Sequence, residues 1–83
     1  MPSSKTPEAI SLQVARLLKE EREKRKMSLN LLAQKAGVSR QTVAFIEQGL
    51  RNPTLNTLLR LTLALEIQVE GLVTRARKQT SKH

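Results

Sequence analysis

Residues 29–48, LNLLAQKAGVSRQTVAFIEQ, decide the fold, because their pattern encodes two short helices joined by the turn GVS. Gly37 can adopt the left-handed backbone conformation that commonly ends a helix, and Ser39 is a favourable N-cap for the helix that follows. The pattern therefore predicts helices over about Leu29–Ala36 and Arg40–Gln48, separated by a tight corner.

The corner between these two helices restricts the residue types that can form it. Ala33 must be small because the helix over about Arg40–Gln48 crosses over it, and Gly37 must turn the chain. The positions that pack the two helices together must be apolar, and they are Leu32, Val38, Val43 and Ile46. This set of residues at this spacing indicates a helix-turn-helix motif.

Helical patterns continue on both sides of the motif. Apolar residues at helical spacing predict a first helix over about Glu8–Lys26. Gly49 is expected to end the third helix, Thr54 to cap a fourth over about Leu55–Leu65, and a fifth covers about Val69–Arg77. The leucines of the fourth helix predicted to face the core are Leu55, Leu58, Leu59 and Leu65.

The fold class is predicted to be all-α, a compact five-helix domain over residues 8–77. Much of the apolar content is leucine and the single aromatic residue is a phenylalanine, which favours helices over sheets. Residues 1–7, MPSSKTP, are polar with two prolines and are predicted to form a disordered arm. Residues 78–83, KQTSKH, are predicted to form a basic, flexible tail.

The amino-acid composition of the chain limits the classes of function that it can have. The 83 residues include 15 Lys and Arg against seven acidic residues, and the net charge of +8 indicates a polyanionic partner such as nucleic acid. The chain has no Cys, Asp, Tyr or Trp and a single His, so we expect no metal, no cofactor and no enzymatic activity. Because no apolar stretch approaches the roughly 20 residues of a membrane span, and no hydrophobic leader is evident, we expect no membrane partner and a cytoplasmic, nucleoid-associated location.

The run from Val14 to Val73 resembles the Cro/phage-repressor or XRE-type helix-turn-helix domain. Beyond the corner, the matching residues are Arg22, Met27-Ser28, GVSRQTVAFIEQG, RNPTLNTLLRL and ALEIQVEGLV. The resemblance implies a five-helix, lambda-repressor-like fold whose third helix enters the DNA major groove, as a dimer on a palindromic operator. Five positions depart from the family pattern. Leu29 stands where a DNA-contacting Gln is common, and Phe45 stands where a polar or basic reader is common. Glu21 occupies a usually apolar place, and Leu31 and Leu63 occupy usually polar ones.

The exposed face of the third helix carries the predicted base-reading residues. Arg40 can bind guanine O6 and N7, and Gln41 can bind adenine N6 and N7, each through two hydrogen bonds. Ala44 and Phe45 complete this predicted set. For Phe45 two interpretations remain open, a contact with a thymine methyl group or packing against Leu29 or within the core.

Phosphate contacts are predicted for the polar residues around that helix, namely Ser39, Thr42, Gln34, Arg51 and Asn52. Ser39 also caps the helix, and helix N-termini favour anions. Thr42 has the alternative role of covering the seam between the two helices. Arg51 has the alternative role of a simple solvated loop charge.

Two further groups of residues concern architecture. The family resemblance implies an ion pair between Arg22 and Glu47 that ties the first helix to the third. Residues 61–73 carry Glu66 and Glu70 but no basic residue, so this part of the surface should lie away from phosphates. Surplus apolar residues in the same region predict a homodimer interface formed by Leu63, Val69, Leu72 and Val73.

The predicted function is sequence-specific regulation of transcription, by a homodimeric repressor that binds double-stranded DNA. Two alternatives use the same domain: an antitoxin that autoregulates its promoter and also binds a toxin protein, and a controller protein of a restriction-modification system. A third alternative is a protein-interaction module that does not bind DNA, against which Arg40, Gln41 and the charge of +8 argue.

Overall fold

The computed structural model describes residues 6–80 of the chain. These residues form five α-helices: α1 (Pro7–Lys24), α2 (Leu29–Ala36), α3 (Arg40–Glu47), α4 (Leu55–Leu65) and α5 (Val69–Thr80). No strand occurs within this range. The all-α class and the five-helix architecture predicted from the sequence are confirmed.

The first four helices each begin with a hydroxyl-bearing N-cap. The caps are Thr6, Ser28, Ser39 and Thr54. In each, the side-chain oxygen accepts a hydrogen bond of 3.0 or 3.1 Å from the backbone N–H three residues later. These bonds satisfy one of the N–H groups that the first helical turn leaves without a partner, and so they fix where each helix starts.

The same four helices end in a left-handed turn. Gly37 and Gly49 have φ angles of 73° and 75°, as predicted, and Lys26 and Glu66 adopt the same conformation with φ angles of 57° and 59°. In each turn the residue after the left-handed one donates its N–H to a carbonyl five positions back, as Met27 does to Arg22 at 3.1 Å. Because of this turn, α1 ends two residues before its predicted limit at Lys26.

The core lies where α1 packs against α5 and where α2 packs against α3 and α4. The largest buried side chains come from all five helices and are Leu18, Leu32, Ile46, Leu61, Leu65, Leu72, Val43 and Thr62. Ala33 is also buried, as the tight corner requires. The apolar positions assigned to the helix-turn-helix corner therefore perform the packing role predicted for them.

The orientation of α4 differs from the prediction. Leu65 is buried and Leu58 is half-buried, but Leu55 and Leu59 are 69% and 38% exposed, so their predicted inward orientation is wrong. Residues four apart drift by about 40° around a helix, so Leu55, Leu59 and Leu63 form a stripe that rotates away from the core. An exposed leucine stripe therefore runs along α4.

The fifth helix is longer than predicted. It extends to Thr80, whose buried hydroxyl donates a 2.8 Å hydrogen bond to the carbonyl of Arg77. Residues 78–80, assigned to the flexible tail, are therefore helical. At the other end, Thr6 and Pro7 belong to the start of α1 rather than to an arm. The remaining residues of the predicted arm and tail, 1–5 and 81–83, lie outside the described residues.

A buried carboxylate joins α1 to α5. Glu21 is 3% exposed, and its Oε2 accepts a 2.9 Å hydrogen bond from Arg75 Nη1, while its Oε1 accepts one from Arg25. Lys24 lies 3.4 Å from the same carboxylate. The hydrogen bond from Arg25, with those from Arg75 and Lys24, outweighs desolvation and lowers the pKa of Glu21 to about 2. The buried carboxylate of Glu21 thus holds a charge that three cations stabilise.

Within residues 6–80, none of the helices combines the length and the apolar character needed to cross a membrane.

Candidate nucleic-acid interface

The α2–α3 unit presents one face of α3 to solvent. Val43 and Ile46 are buried against the rest of the domain. Arg40 and Gln41 are exposed and Ala44 is half-buried on the other side. Because successive residues are about 100° apart around a helix, these three side chains share the outer face at the N-terminal half of α3. This is the part of a recognition helix that contacts base edges in helix-turn-helix proteins.

An exposed polar residue just beyond the C-terminal end of α3 was not predicted from the sequence. Gln48 is exposed and follows Gln41 by seven positions, or about two helical turns, so the two amides lie on the same face. Its position next to Gly49 fits a role in ending the helix, whereas its seven-residue spacing from Gln41 is the sequence signal for a shared face.

The N-terminus of α3 holds two linked hydroxyls. Ser39 Oγ accepts a 3.0 Å hydrogen bond from the backbone N–H of Thr42 and lies 2.7 Å from the Thr42 hydroxyl. Ser39 is exposed and Thr42 is half-buried. Both residues thus contribute to the cap, and their hydroxyls lie beside the backbone N–H groups at this helix end, where anions are stabilised.

A bidentate ion pair holds α3 against α1. Arg22 Nε and Nη2 donate to the two carboxylate oxygens of Glu47 at 2.8 and 3.0 Å, and Nη1 donates to the carbonyl of Met27 at 2.8 Å. The two charged side chains are only 11% and 5% exposed. The hydrogen bonds to Glu47 raise the pKa of Arg22 above its ordinary value despite its desolvation. The pair therefore fixes the orientation of α3 relative to α1.

The loop after α3 brings a cation onto the side of that helix. The Arg51 guanidinium carbon lies 5.5 Å from the centre of the Phe45 ring, within the range of a cation–π contact. Phe45 is half-buried and lies outside the core cluster. Leu29 packs against the core cluster, whereas Phe45 is neither part of that cluster nor among the residues packed against it. The interpretation of Phe45 as a core residue is therefore wrong.

The other residues with predicted phosphate contacts are open to solvent. Gln34 on α2 is exposed, as are Arg51 and Asn52 in the loop between α3 and α4. The structure thus leaves all three side chains accessible to a ligand.

Within residues 6–80, no three His, Cys, Asp or Glu side chains come together in a group that could hold a metal ion.

Only some of the four residues predicted to form the dimer interface are exposed to solvent. Leu63 is 74% exposed, as its assignment to an interface requires. Val69 and Val73 are half-buried. Leu72 is 1% exposed and packs in the core of the monomer, so its assignment to the interface is wrong. The reason is that α5 uses Leu72 and Ala76, one turn apart, to pack within its own domain.

A family model for the helix-turn-helix matches residues 18–72, which span α2, α3 and α4 and end within α5. The chain belongs to the helix-turn-helix family. This helix-turn-helix protein is similar to two proteins of Mycobacterium tuberculosis, strains CDC 1551 / Oshkosh and ATCC 25618 / H37Rv, both described as uncharacterised HTH-type transcriptional regulators. Each is 34% identical over 59 residues, or 71% of this chain and 42% of the relative. The chain therefore spans less than half the length of these relatives.

Solved structures of restriction-modification controller proteins share the fold of this helix-turn-helix protein. The controller protein C.AhdI from Aeromonas hydrophila is 33% identical over 74% of this chain and 92% of its own, with a TM-score of 0.71. The controller protein C.Esp1396I, solved as a tetramer in complex with its natural 35 base-pair operator, is 25% identical over 88% of this chain and 96% of its own. The TM-score of that pair is 0.78. The lambda-repressor-like arrangement predicted from the sequence is confirmed at the level of the fold.

Proposed function

We propose that this helix-turn-helix protein is a sequence-specific regulator of transcription that binds double-stranded DNA, with α3 in the major groove. The observation that carries the proposal is the exposed pair Arg40 and Gln41 at the N-terminal end of α3, a helix that a buried ion pair holds in place. Arginine and glutamine are the side chains that recognise guanine and adenine through paired hydrogen bonds. Ala44 contributes an apolar contact in this proposal.

Phosphate contacts position the reading helix on DNA. We assign them to the exposed side chains around α3: Ser39, Gln34, Arg51 and Asn52, with Thr42 supporting Ser39. Such contacts fix the register of a protein on the duplex and carry no sequence information themselves. The net charge of +8 supplies the attraction that brings the protein to the polyanion.

A homodimer would double the length of sequence that is read. We propose that the interface uses Leu63 and the neighbouring Leu59 on α4, with Val69 and Val73 on α5, since these side chains stay wholly or partly exposed. Two recognition helices about 34 Å apart would then meet successive major grooves on one side of a palindromic operator. A dimer bound across a promoter acts as a repressor by excluding the polymerase.

A more specific candidate function is that of a restriction-modification controller protein. The observation that favours it is the likeness to C.Esp1396I and C.AhdI, which extends over 88% and 74% of this chain. The antitoxin alternative and its toxin partner stay predictions. We place the protein in the cytoplasm, at the nucleoid, as its proposed ligand requires.

Selection of bound sites from random duplex DNA tests the DNA-binding proposal. We expect the wild-type protein to enrich one palindromic site. The Arg40→Ala variant should lose preference at one base position in each half-site, with a cost of about 1–3 kcal/mol for the selected site. Arg16→Ala is the matched control, because it removes another exposed arginine from α1, away from α3. Failure to enrich any site, or an unchanged site with Arg40→Ala, would contradict the proposal.

Sedimentation at micromolar protein concentration tests the proposed interface. We expect the wild type to sediment as a dimer and Leu63→Glu as a monomer of 9.3 kDa, because the substitution places a charge in an apolar contact. Leu50→Glu is the control, since Leu50 is as exposed as Leu63 but lies in the loop after α3. A wild-type monomer, or a Leu63→Glu variant that remains dimeric, would refute the interface.

A further inference from the structure

The contact between Phe45 and Arg51 has a definite structural basis. The end of α3 forms a closed turn, in which the N–H of Leu50 donates to the carbonyl of Phe45 at 3.0 Å and that of Gly49 donates to the carbonyl of Ile46 at 3.0 Å. This double hydrogen bond sets the direction of the chain as it leaves the helix. Arg51 is the next residue, so the turn directs its backbone past the Phe45 side chain.

The turn is also held from the side of α1. Gly49 has a φ angle of 75°, and a Cβ placed there would lie 2.9 Å from Leu12 Cδ2. The close approach shows that the Leu12 side chain of α1 lies against the turn. The turn that precedes Arg51 is thus in contact with α1.

The contact with the Phe45 ring leaves the N–H groups of the Arg51 guanidinium free to bind a ligand. A guanidinium interacts with an aromatic ring in a cation–π contact while all five of its N–H donors remain available for hydrogen bonds. Among residues 6–80, no carboxylate forms a salt bridge with Arg51, and Arg51 is exposed. The ring thus contacts the guanidinium without occupying the N–H groups that bind anions.

We propose that Phe45 is a positioning residue, whose ring holds the Arg51 guanidinium beside α3 in readiness for a DNA phosphodiester group. This inference rests on the proposed DNA-binding function and gives Phe45 a further role, where the sequence left open a base contact or packing against Leu29 or within the core. The ligand of Arg51 is a phosphate because Arg51 lies beyond the C-terminal end of α3, whereas base edges are read from its N-terminal half. An arginine ordered before binding loses less rotamer freedom when the phosphate is bound.

A double-mutant cycle measured by DNA binding tests the proposal. The variants are Phe45→Leu, Arg51→Ala and the double substitution, each titrated with the selected duplex and with a scrambled duplex at several salt concentrations. Arg51→Ala should weaken binding of both duplexes about equally and reduce the salt slope by about 1. Phe45→Leu should weaken both by about two- to fivefold, the equivalent of an exposed cation–π contact. The double variant should bind no more weakly than Arg51→Ala alone.

Two further measurements separate positioning from other roles of Phe45. Phe45→Tyr keeps an aromatic face and should bind like the wild type. In NMR spectra of the free protein, the Arg51 side-chain protons should show an upfield ring-current shift that Phe45→Leu removes. Independent, additive losses in the cycle would overturn the proposal, as would a Phe45→Leu variant that changes base preference at one position. A wild type that binds neither duplex would refute the proposed function as well, whereas additive losses with intact wild-type binding refute only the positioning role.

Discussion

Replacing Glu47 with alanine is expected to lower the free energy of unfolding by about 3–5 kcal/mol, which is a large fraction of the stability of a small domain. The Glu47 and Arg22 side chains are 5% and 11% exposed, so the substitution leaves a buried guanidinium without its carboxylate. Urea denaturation followed by circular dichroism at pH 7 measures the loss. Because the pair also fixes α3 against α1, DNA binding should weaken even under conditions where the variant is folded.

Three other variants define the cause of that loss. Glu20→Ala removes an exposed acidic residue from α1 and should change stability by less than about 0.5 kcal/mol. Glu47→Gln retains an amide oxygen for Arg22 and should lose less than Glu47→Ala. Replacing both partners, as Arg22→Met with Glu47→Leu, should recover much of the stability, because no buried charge then lacks a partner. A loss below about 1 kcal/mol for Glu47→Ala would show that the pair is not an effective link.

The second expectation is a loss of stability in acid that depends on Glu21. Its pKa in the folded protein is about 2, against an ordinary value of 4.5. Because the folded-state pKa is the lower one, the stabilisation is fully present above pH 4.5 and is lost as the pH falls toward 2. The difference corresponds to about 3 kcal/mol at neutral pH. We expect the wild type to lose this amount between pH 5 and 2, as measured by urea denaturation at each pH.

Glu21→Gln isolates the contribution of this carboxylate. The variant should be less stable than the wild type by about 3 kcal/mol at pH 7, and the two curves should approach each other as the pH falls and converge at about pH 1, where Glu21 is itself mostly neutral. Glu70→Gln is the control, since Glu70 lies on the exposed side of α5 and its substitution should leave a curve parallel to that of the wild type. A Glu21→Gln curve that also runs parallel to the wild type would refute this account.

The sequence alone determined the helix boundaries nearest the turns and the identity of the helix-turn-helix corner. Ser39 and Gly37 act through hydrogen bonds that span only a few residues. The Thr42 N–H donates to Ser39 Oγ, and the Gly37 N–H donates to the carbonyl of Gln34. Such contacts form wherever the local sequence permits them, so a pattern of residue types is enough to predict them. The exposure of Arg40 and Gln41 follows from the same local register.

Other features were decided only by the tertiary structure. Whether Leu59 and Leu72 face solvent or the core depends on how α4 and α5 rotate against their neighbours, and apolar periodicity does not fix that rotation. The left-handed turn at Glu66 was likewise not evident, because a non-glycine residue adopts that conformation when the surrounding structure requires it.

The two groups of polar contacts that the sequence did not reveal both join separate elements. Glu21 meets Arg75 from 54 positions away, and Arg51 reaches Phe45 only because the turn after α3 directs it there. A sequence pattern records which side chains are charged or aromatic, but not which distant groups will face them. That pairing arises when helix packing brings the elements together, and burial then determines how strongly each contact acts.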